Sequence, residues 1–360
     1  MKKFNILNVS SKFAICGLPV RADTYKTCEF ACKYCFANYR KVMEFKKELA
    51  VGNLVQFRKY LENVEKKDTV SKDDFLGNLL KQRITWHCGG MSDPFQPVEK
   101  ELGITKDMIN IARGYGYSIL FSTKADTVYD CNISPEFHSF QLSVTNVDNR
   151  TDIEPNVPSI EKRLAFFNDL KADGFKVGIR VQPFIPGVTD SRIVDMFSNA
   201  DYFTIEGLKI VPQNKEHKQL LFNLFKLNSS HFKQMGLLNL KPEIRNELYT
   251  DMIKKLTNLS IPFSIADNDM HYISSGKCCC GDTLIKKSTD FNTTAMLQNN
   301  LEYTLDDVKN NLGVYKSCKC NQLFTSNRTN GCTTVLDFYN ERFNKKSSPF
   351  SPKFLWKAGE

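Results

Sequence analysis

Cys28, Cys32 and Cys35 place three thiols within eight residues, in the spacing C-x3-C-x2-C. Three thiolates on one tight loop can each hold one iron of a [4Fe-4S] cube. The fourth iron then has no protein ligand, and an open metal position is what a catalytic centre keeps and a structural centre closes with a fourth side chain. On the same residues the alternative is a small zinc knuckle, closed by a ligand such as Cys16 or Cys88.

A second group of thiols follows far along the chain. Cys278-Cys279-Cys280-Gly281 precedes Cys318-Lys319-Cys320 and Cys332, a density that packing does not readily explain. Neighbouring residues of an extended chain point to opposite faces, so two of the first three are expected to join Cys318, Cys320 or Cys332. Cys279, Cys280, Cys318, Cys320 and Cys332 are therefore the candidate ligands of a second site, for zinc or an auxiliary iron-sulfur cluster. The five histidines show no metal-ligand spacing and read as structural or exposed.

Twelve cysteines in 360 residues are too sparse for a disulfide scaffold, and their clustering suits metal ligation in a reducing compartment. The N-terminal apolar stretch is broken by Asn5, Asn8, Ser10, Ser11 and Lys12, and no apolar run is long enough to span a bilayer. The expectation is a cytoplasmic protein with no membrane partner. A net charge of +9 favours an anionic partner, nucleic acid or a phosphorylated small molecule, although without a dense basic run it serves solubility equally well.

Strands and helices must position these residues, and they alternate. Strand patterns at 84–88, 117–123, 140–145, 175–181 and 202–205 are separated by helical patterns. One helix carries Ile104, Met108, Ile111 and Ala112; a second carries Ile160, Leu164, Phe167 and Leu170, with Pro158 near its start and Gly174 just past its end; a third is expected near 191–198. Such alternation predicts an α/β protein with a parallel sheet, and periodicity alone leaves the doubly wound and barrel forms open. The rise in cysteine density suggests a core domain over residues 1–270 and a cysteine-rich region over 271–360. From Asp337 to Glu360 aromatics mix with lysines and arginines, a pattern that suits either base stacking or packing onto the core.

With aromatics on both sides of Cys35 (Tyr34 and Phe36), the cysteine motif resembles that of the radical S-adenosylmethionine superfamily. Within it the chain looks most like the spore photoproduct lyase-like, or DNA-photolyase-type, proteins. The matching stretches run in order: 28–36, Gly89-Gly90-Met91-Ser92-Asp93-Pro94 and on to Glu99, Ser122-Thr123-Lys124, Leu142-Ser143-Val144-Thr145, Glu154-Pro155 through Arg163, and Pro183 to Gly187. Together they cover roughly residues 15–210.

The resemblance implies a partial (β/α)6 TIM-like barrel with a cysteine-rich C-terminal extension, the cluster lying on the loop after the first strand. It implies a [4Fe-4S] cluster that, supplied by a reducing electron donor, cleaves S-adenosylmethionine to a 5′-deoxyadenosyl radical for hydrogen abstraction. A nucleic acid or nucleotide substrate follows, in DNA repair or modification of lyase or transferase type. Gly89 and Gly90 would let backbone meet the methionyl ammonium, with Ser92 and Asp93 as acceptors nearby. Lys124 would pair with the methionyl carboxylate and Ser143 would bond the cofactor, while Glu154 and Arg163 either touch it or form a buried ion pair.

Tyr34 is a candidate relay residue. Cys88 is the candidate hydrogen donor, because Gly90 occupies the family's cysteine position and Cys88, two residues earlier, would share its strand face; the alternative is a packed core thiol. Phe36 stands where the family has a second relay tyrosine, so dimer repair by the same relay is not expected. The alternative is a cysteine-rich metal-binding nucleic-acid adaptor that kept the fold without radical turnover.

Overall fold

The computed structural model describes residues 1–10, 13, 16–39, 48–68, 70–71, 74–267, 269–291, 304–319 and 332–342. In chain order come β1 (Lys2–Phe4), β2 (Leu7–Val9), β3 (Val20–Ala22), β4 (Ala50–Gly52), helices α1 (Leu54–Glu65) and α2 (Phe75–Lys81), and β5 (Trp86–Cys88). Next are α3 (Glu99–Leu102), α4 (Ile104–Gly114), β6 (Ile119–Thr123), β7 (His138–Ser143), α5 (Ile160–Ala172), β8 (Val177–Phe184), α6 (Arg192–Met196) and β9 (Tyr202–Gly207). The remainder holds β10 (Lys209–Ile210), α7 (Lys215–Leu224), β11 (Phe232–Met235), β12 (Leu237–Leu240), α8 (Pro242–Asn258) and β13 (Phe263–Ile265), then helices Leu305–Leu312 and Val335–Arg342.

Eight strands form the main sheet in the order β13-β9-β8-β7-β6-β5-β3-β2. All pairings are parallel except β2 with β3. From β3 onward each parallel strand is added beside the one before it, and the order never reverses. With right-handed crossovers this puts the connecting helices on one face, whereas a doubly wound sheet reverses at a switch point. The sheet is open, with β2 and β13 as its edges. Beside it, β10, β12 and β11 form a three-stranded antiparallel sheet and β1 pairs with β4.

Helix ends follow local chemistry. Ser159 caps α5 by accepting from Lys162 N, and Gly174 beyond its end takes φ +83°. The helix face of the sheet is apolar: Trp86, Cys88, Phe121, Phe140, Ile179, Val181, Phe203 and Ile205 all pack into one large core. The opposite face is polar in alternate positions. Register pairs Arg21 with His87, Ser122 with Gln141, Ser143 with Arg180, Arg180 with Thr204 and Thr204 with Ser264, so these side chains share the inner face.

The described residues that follow position 270 stay on this core. Residues 276–289 cross the inner face, where Tyr202 Oη and Ser264 Oγ donate to Cys278 O, Thr204 Oγ1 donates to Cys279 O at 2.8 Å, and Thr283 Oγ1 donates to Asp201 O at 2.9 Å. The described residues just beyond 270 thus share hydrogen bonds with β9 and β13. Helix Val335–Arg342 packs on the core as well, its Phe338 and Tyr339 buried against Phe13. Of the aromatic and basic tail, residues 343–360 lie outside those described, as does Cys320. Among the described residues no helix is long and apolar enough to cross a membrane.

Candidate active site

The loop after β3 carries Cys28, Cys32 and Cys35 to the ends of the parallel strands, where they line one cavity with Tyr34, Phe36, His87, Gly89, Gly90, Ser92, Asp93, Lys124 and Ser143. This is the face on which barrel-type α/β proteins build their sites. Hydrogen bonds hold the loop from below: Glu29 N donates to Gln96 Oε1 at 2.8 Å, Gln96 Nε2 to Thr27 O at 2.9 Å, and Lys33 N to Ile153 O at 2.9 Å. Burial raises the Cys28 thiol to about 12, with Asp93 adding to the effect, and burial raises Cys32 as well. Backbone N–H groups of Phe30 and Asp93 face the Cys28 sulfur and oppose the rise. Such neutral thiols must release protons on taking a metal.

The glycine pair divides its work. Gly89 has φ +96°, and a Cβ there would stand 2.0 Å from the Ser122 carbonyl oxygen, so only glycine fits between β5 and β6. At Gly90 an added Cβ would meet the mobile end of Arg21 at 3.3 Å. The chain turns at Gly89, so Cys88 and Gly90 do not share a side. Cys88 is fully buried on the helix face, paired in register with Ala22 and Phe121, and His87 is the β5 side chain that lines the cavity. The expected strand geometry for a Cys88 hydrogen donor is thereby corrected.

Ser92 and Asp93 are used locally. Ser92 Oγ donates to Tyr25 O at 2.5 Å, and Asp93 accepts from Thr123 Oγ1 (2.7 Å), Phe95 N (3.0 Å) and Lys124 N (2.6 Å). Burial pushes the Asp93 carboxyl up to about 6 despite these donors. The carboxylate thus fixes the turn that presents Gly90 and Lys124.

Glu154 is the hub behind the cavity wall. Lys124 Nζ lies 2.8 Å from its Oε1, Tyr34 Oη donates to the same oxygen, and Arg163 Nη2 lies 3.8 Å from Oε2. Burial opposes ionisation, yet Lys124 and Arg163 together hold the Glu154 carboxyl below its ordinary value. Burial and the adjacent carboxylate push the Tyr34 phenol well up. Arg163 also donates to Ser143 O at 2.9 Å. Of this group only Tyr34, Lys124 and Ser143 line the cavity, so Glu154 and Arg163 act on it through their neighbours.

The inner face adds residues that motif reading passed over: Arg21, His87, Gln182, Glu206 and Lys209. His87 Nε2 pairs with Ser122 Oγ at 2.7 Å, while its buried Nδ1 has no hydrogen-bond partner, nor has Gln182 Oε1. Lys209 pairs with Glu206, and Arg245 behind them binds Asp267 at 3.1 Å and Asp269 at 2.6 Å. The available signal was period-two alternation, with polar residues such as His87, Ser122, Gln141, Arg180 and Thr204 recurring on one face of largely apolar strands.

The second set of cysteines divides in space. The sulfurs of Cys278, Cys279 and Cys280 lie within 4.8 Å of one another. They converge because the segment turns where extended chain was expected. Cys318 is fully buried in the main core and Cys332 Sγ donates to Glu341 Oε2 at 3.1 Å, both beside helix Val335–Arg342.

No family model matches the chain. An uncharacterized protein of Methanocaldococcus jannaschii is 28% identical over 231 residues, 60% of this chain and 83% of its own. An uncharacterized protein of Mycobacterium tuberculosis is 23% identical over 189 residues, 49% of this chain and 53% of its own, so the chain spans about half the length of that relative. Among solved structures, spore photoproduct lyase complexed with dinucleoside spore photoproduct matches with a TM-score of 0.53 at 16% identity, over 69% of this chain and 76% of that one. A double mutant of that lyase with bound AdoMet and the same dinucleoside matches with a TM-score of 0.54 at 16% identity, over 71% and 78%. The fold is that of the radical S-adenosylmethionine enzymes. Its form within that class is the spore photoproduct lyase-like one.

Proposed function

We propose that this chain is a radical S-adenosylmethionine enzyme acting on a nucleic acid or nucleotide. The observation that carries the reading is the convergence of three thiols, Gly90, Lys124 and Ser143 on one cavity at the strand ends. The donor set fits an iron-sulfur cluster. Three thiols face the strand-end part of the cavity, and among the described residues lining that part there is no fourth cysteine, so a cube held by Cys28, Cys32 and Cys35 keeps one iron open. When bound, cluster and cofactor together supply a carbon radical that abstracts hydrogen.

The residues do the rest. Asp93 fixes the turn that carries Gly90 and Lys124. Lys124 gives one donor to Glu154 and keeps two for an anionic group in the cavity, which suits the methionyl carboxylate. Tyr34 closes the wall beside Cys35 and holds its proton against Glu154. Burial on this side excludes water from the reacting centre. Arg21, Arg180 and Lys209 outnumber the carboxylates Asp23 and Glu206 in the adjoining lining, which supports an anionic substrate. The curling of the sheet into a partial barrel around this cavity belongs to the same reading, as do a reducing electron donor and a cytoplasmic setting.

Electron paramagnetic resonance on the anaerobically reconstituted, reduced protein tests the site. Addition of S-adenosylmethionine is expected to shift the cluster signal, and the Cys28/Cys32/Cys35→Ala variant is expected to give none. A cluster signal indifferent to the cofactor would reject the open-iron reading.

A further inference from the structure

We propose that Cys16, Cys278, Cys279 and Cys280 bind one zinc ion beneath the active cavity, closing its floor and stapling the 276–289 segment to the N-terminal strands. The proposal stands apart from the role of the Cys28 loop.

Four thiols meet on the inner face. Those of 278–280 lie within 4.8 Å of one another, and Cys16 is buried in one small cluster with Cys278 and Cys280. That cluster, which also holds Leu18, Leu120, Tyr202 and Leu284, is separate from the main core. A tetrahedral zinc with sulfur bonds of about 2.3 Å needs sulfurs roughly 4 Å apart. A cube, taking one thiolate per corner iron, spreads its sulfurs wider, so the spacing of 278–280 selects a single ion, with Cys16 beside them as the fourth ligand.

The surroundings are built for thiolates. Arg21 Nη2 lies 3.8 Å from Cys16 Sγ, and the Cys280 N–H donates to Cys278 Sγ at 3.4 Å. Arg21 and Arg180 line the cavity next to Cys16 and Cys279, so cationic groups stand beside the thiolates. Each thiol gives its proton to solvent as zinc binds. The outer contacts are equally fixed: Tyr202, Ser264, Thr204 and Gln141 donate to the carbonyl oxygens of Cys278 and Cys279. Gly276 passes Tyr202 where a Cβ would stand 1.8 Å from the phenol oxygen, so the segment reaches this position only without a side chain there.

The test is metal analysis of the full chain carrying Cys28/Cys32/Cys35→Ala, which removes the first loop as a ligand. One zinc per chain is expected, and none when Cys16→Ser and Cys280→Ser are added. Zinc-edge absorption on the first variant is expected to show four sulfur neighbours and decides the matter if the second variant does not fold. Absence of zinc, iron in its place, nitrogen or oxygen neighbours, or loss of zinc on Cys318→Ser instead would each overturn the assignment.

Discussion

Lys124 Nζ and Glu154 Oε1 stand 2.8 Å apart in a wall almost closed to water, with Lys124 on the cavity side and Arg163 behind. The pair joins the end of β6 to the start of the segment leading into α5. One carboxylate thereby orients a cation, a phenol and a guanidinium.

Removing that carboxylate strands two buried cations. Glu154→Gln is expected to cost about 3–5 kcal/mol in urea denaturation. Lys124→Met leaves Glu154 with Arg163 and Tyr34, so about 1–3 kcal/mol is expected, together with weakened binding of S-adenosylmethionine. Equal stability losses for the two variants would contradict the hub arrangement.

The two glycines are expected to respond oppositely. Gly89→Ala forces a Cβ against the Ser122 carbonyl at positive φ and should cost more than about 3 kcal/mol. Gly90→Ala displaces only the end of Arg21 and should stay within about 1 kcal/mol. Parallel thermal melts of the two variants check the contrast.

Acid sensitivity should trace in part to His138, far from the thiols. Burial, helped by Arg113, lowers its pKa to about 4 from 6.5, and its Nδ1 accepts from Ser134 N at 2.9 Å. The unfolded chain therefore binds the proton more readily. Stability that is complete above pH 6.5 is lost as pH falls toward 4, by about 3 kcal/mol at most. His138→Asn keeps an acceptor for Ser134 N and should flatten the stability profile between pH 4 and 6.5. An unchanged profile would place the acid sensitivity elsewhere.

The order of strands from β5 to β9 was legible because amphipathic periods and glycine stops coincide, as at Gly174 after α5. The convergence of the Cys28 loop on one cavity was legible because its three thiols are local in sequence. The inward row of Arg21, His87, Gln182 and Glu206 was not, since strand register, a long-range property, decides which face meets the cavity. The same limit applies at Cys88, where a single turn at Gly89 reverses the expected face. It applies again at Cys16, whose partners in the small cluster include Cys278 and Cys280, more than 260 residues away along the chain.

The most direct measurement is chromatographic assay of 5′-deoxyadenosine after anaerobic reconstitution and reduction with S-adenosylmethionine present, with nucleic acid added and withheld. The account predicts product from the parent and none from Cys28/Cys32/Cys35→Ala. A parent shown to hold a reduced [4Fe-4S] cluster that makes no 5′-deoxyadenosine under either condition would contradict it.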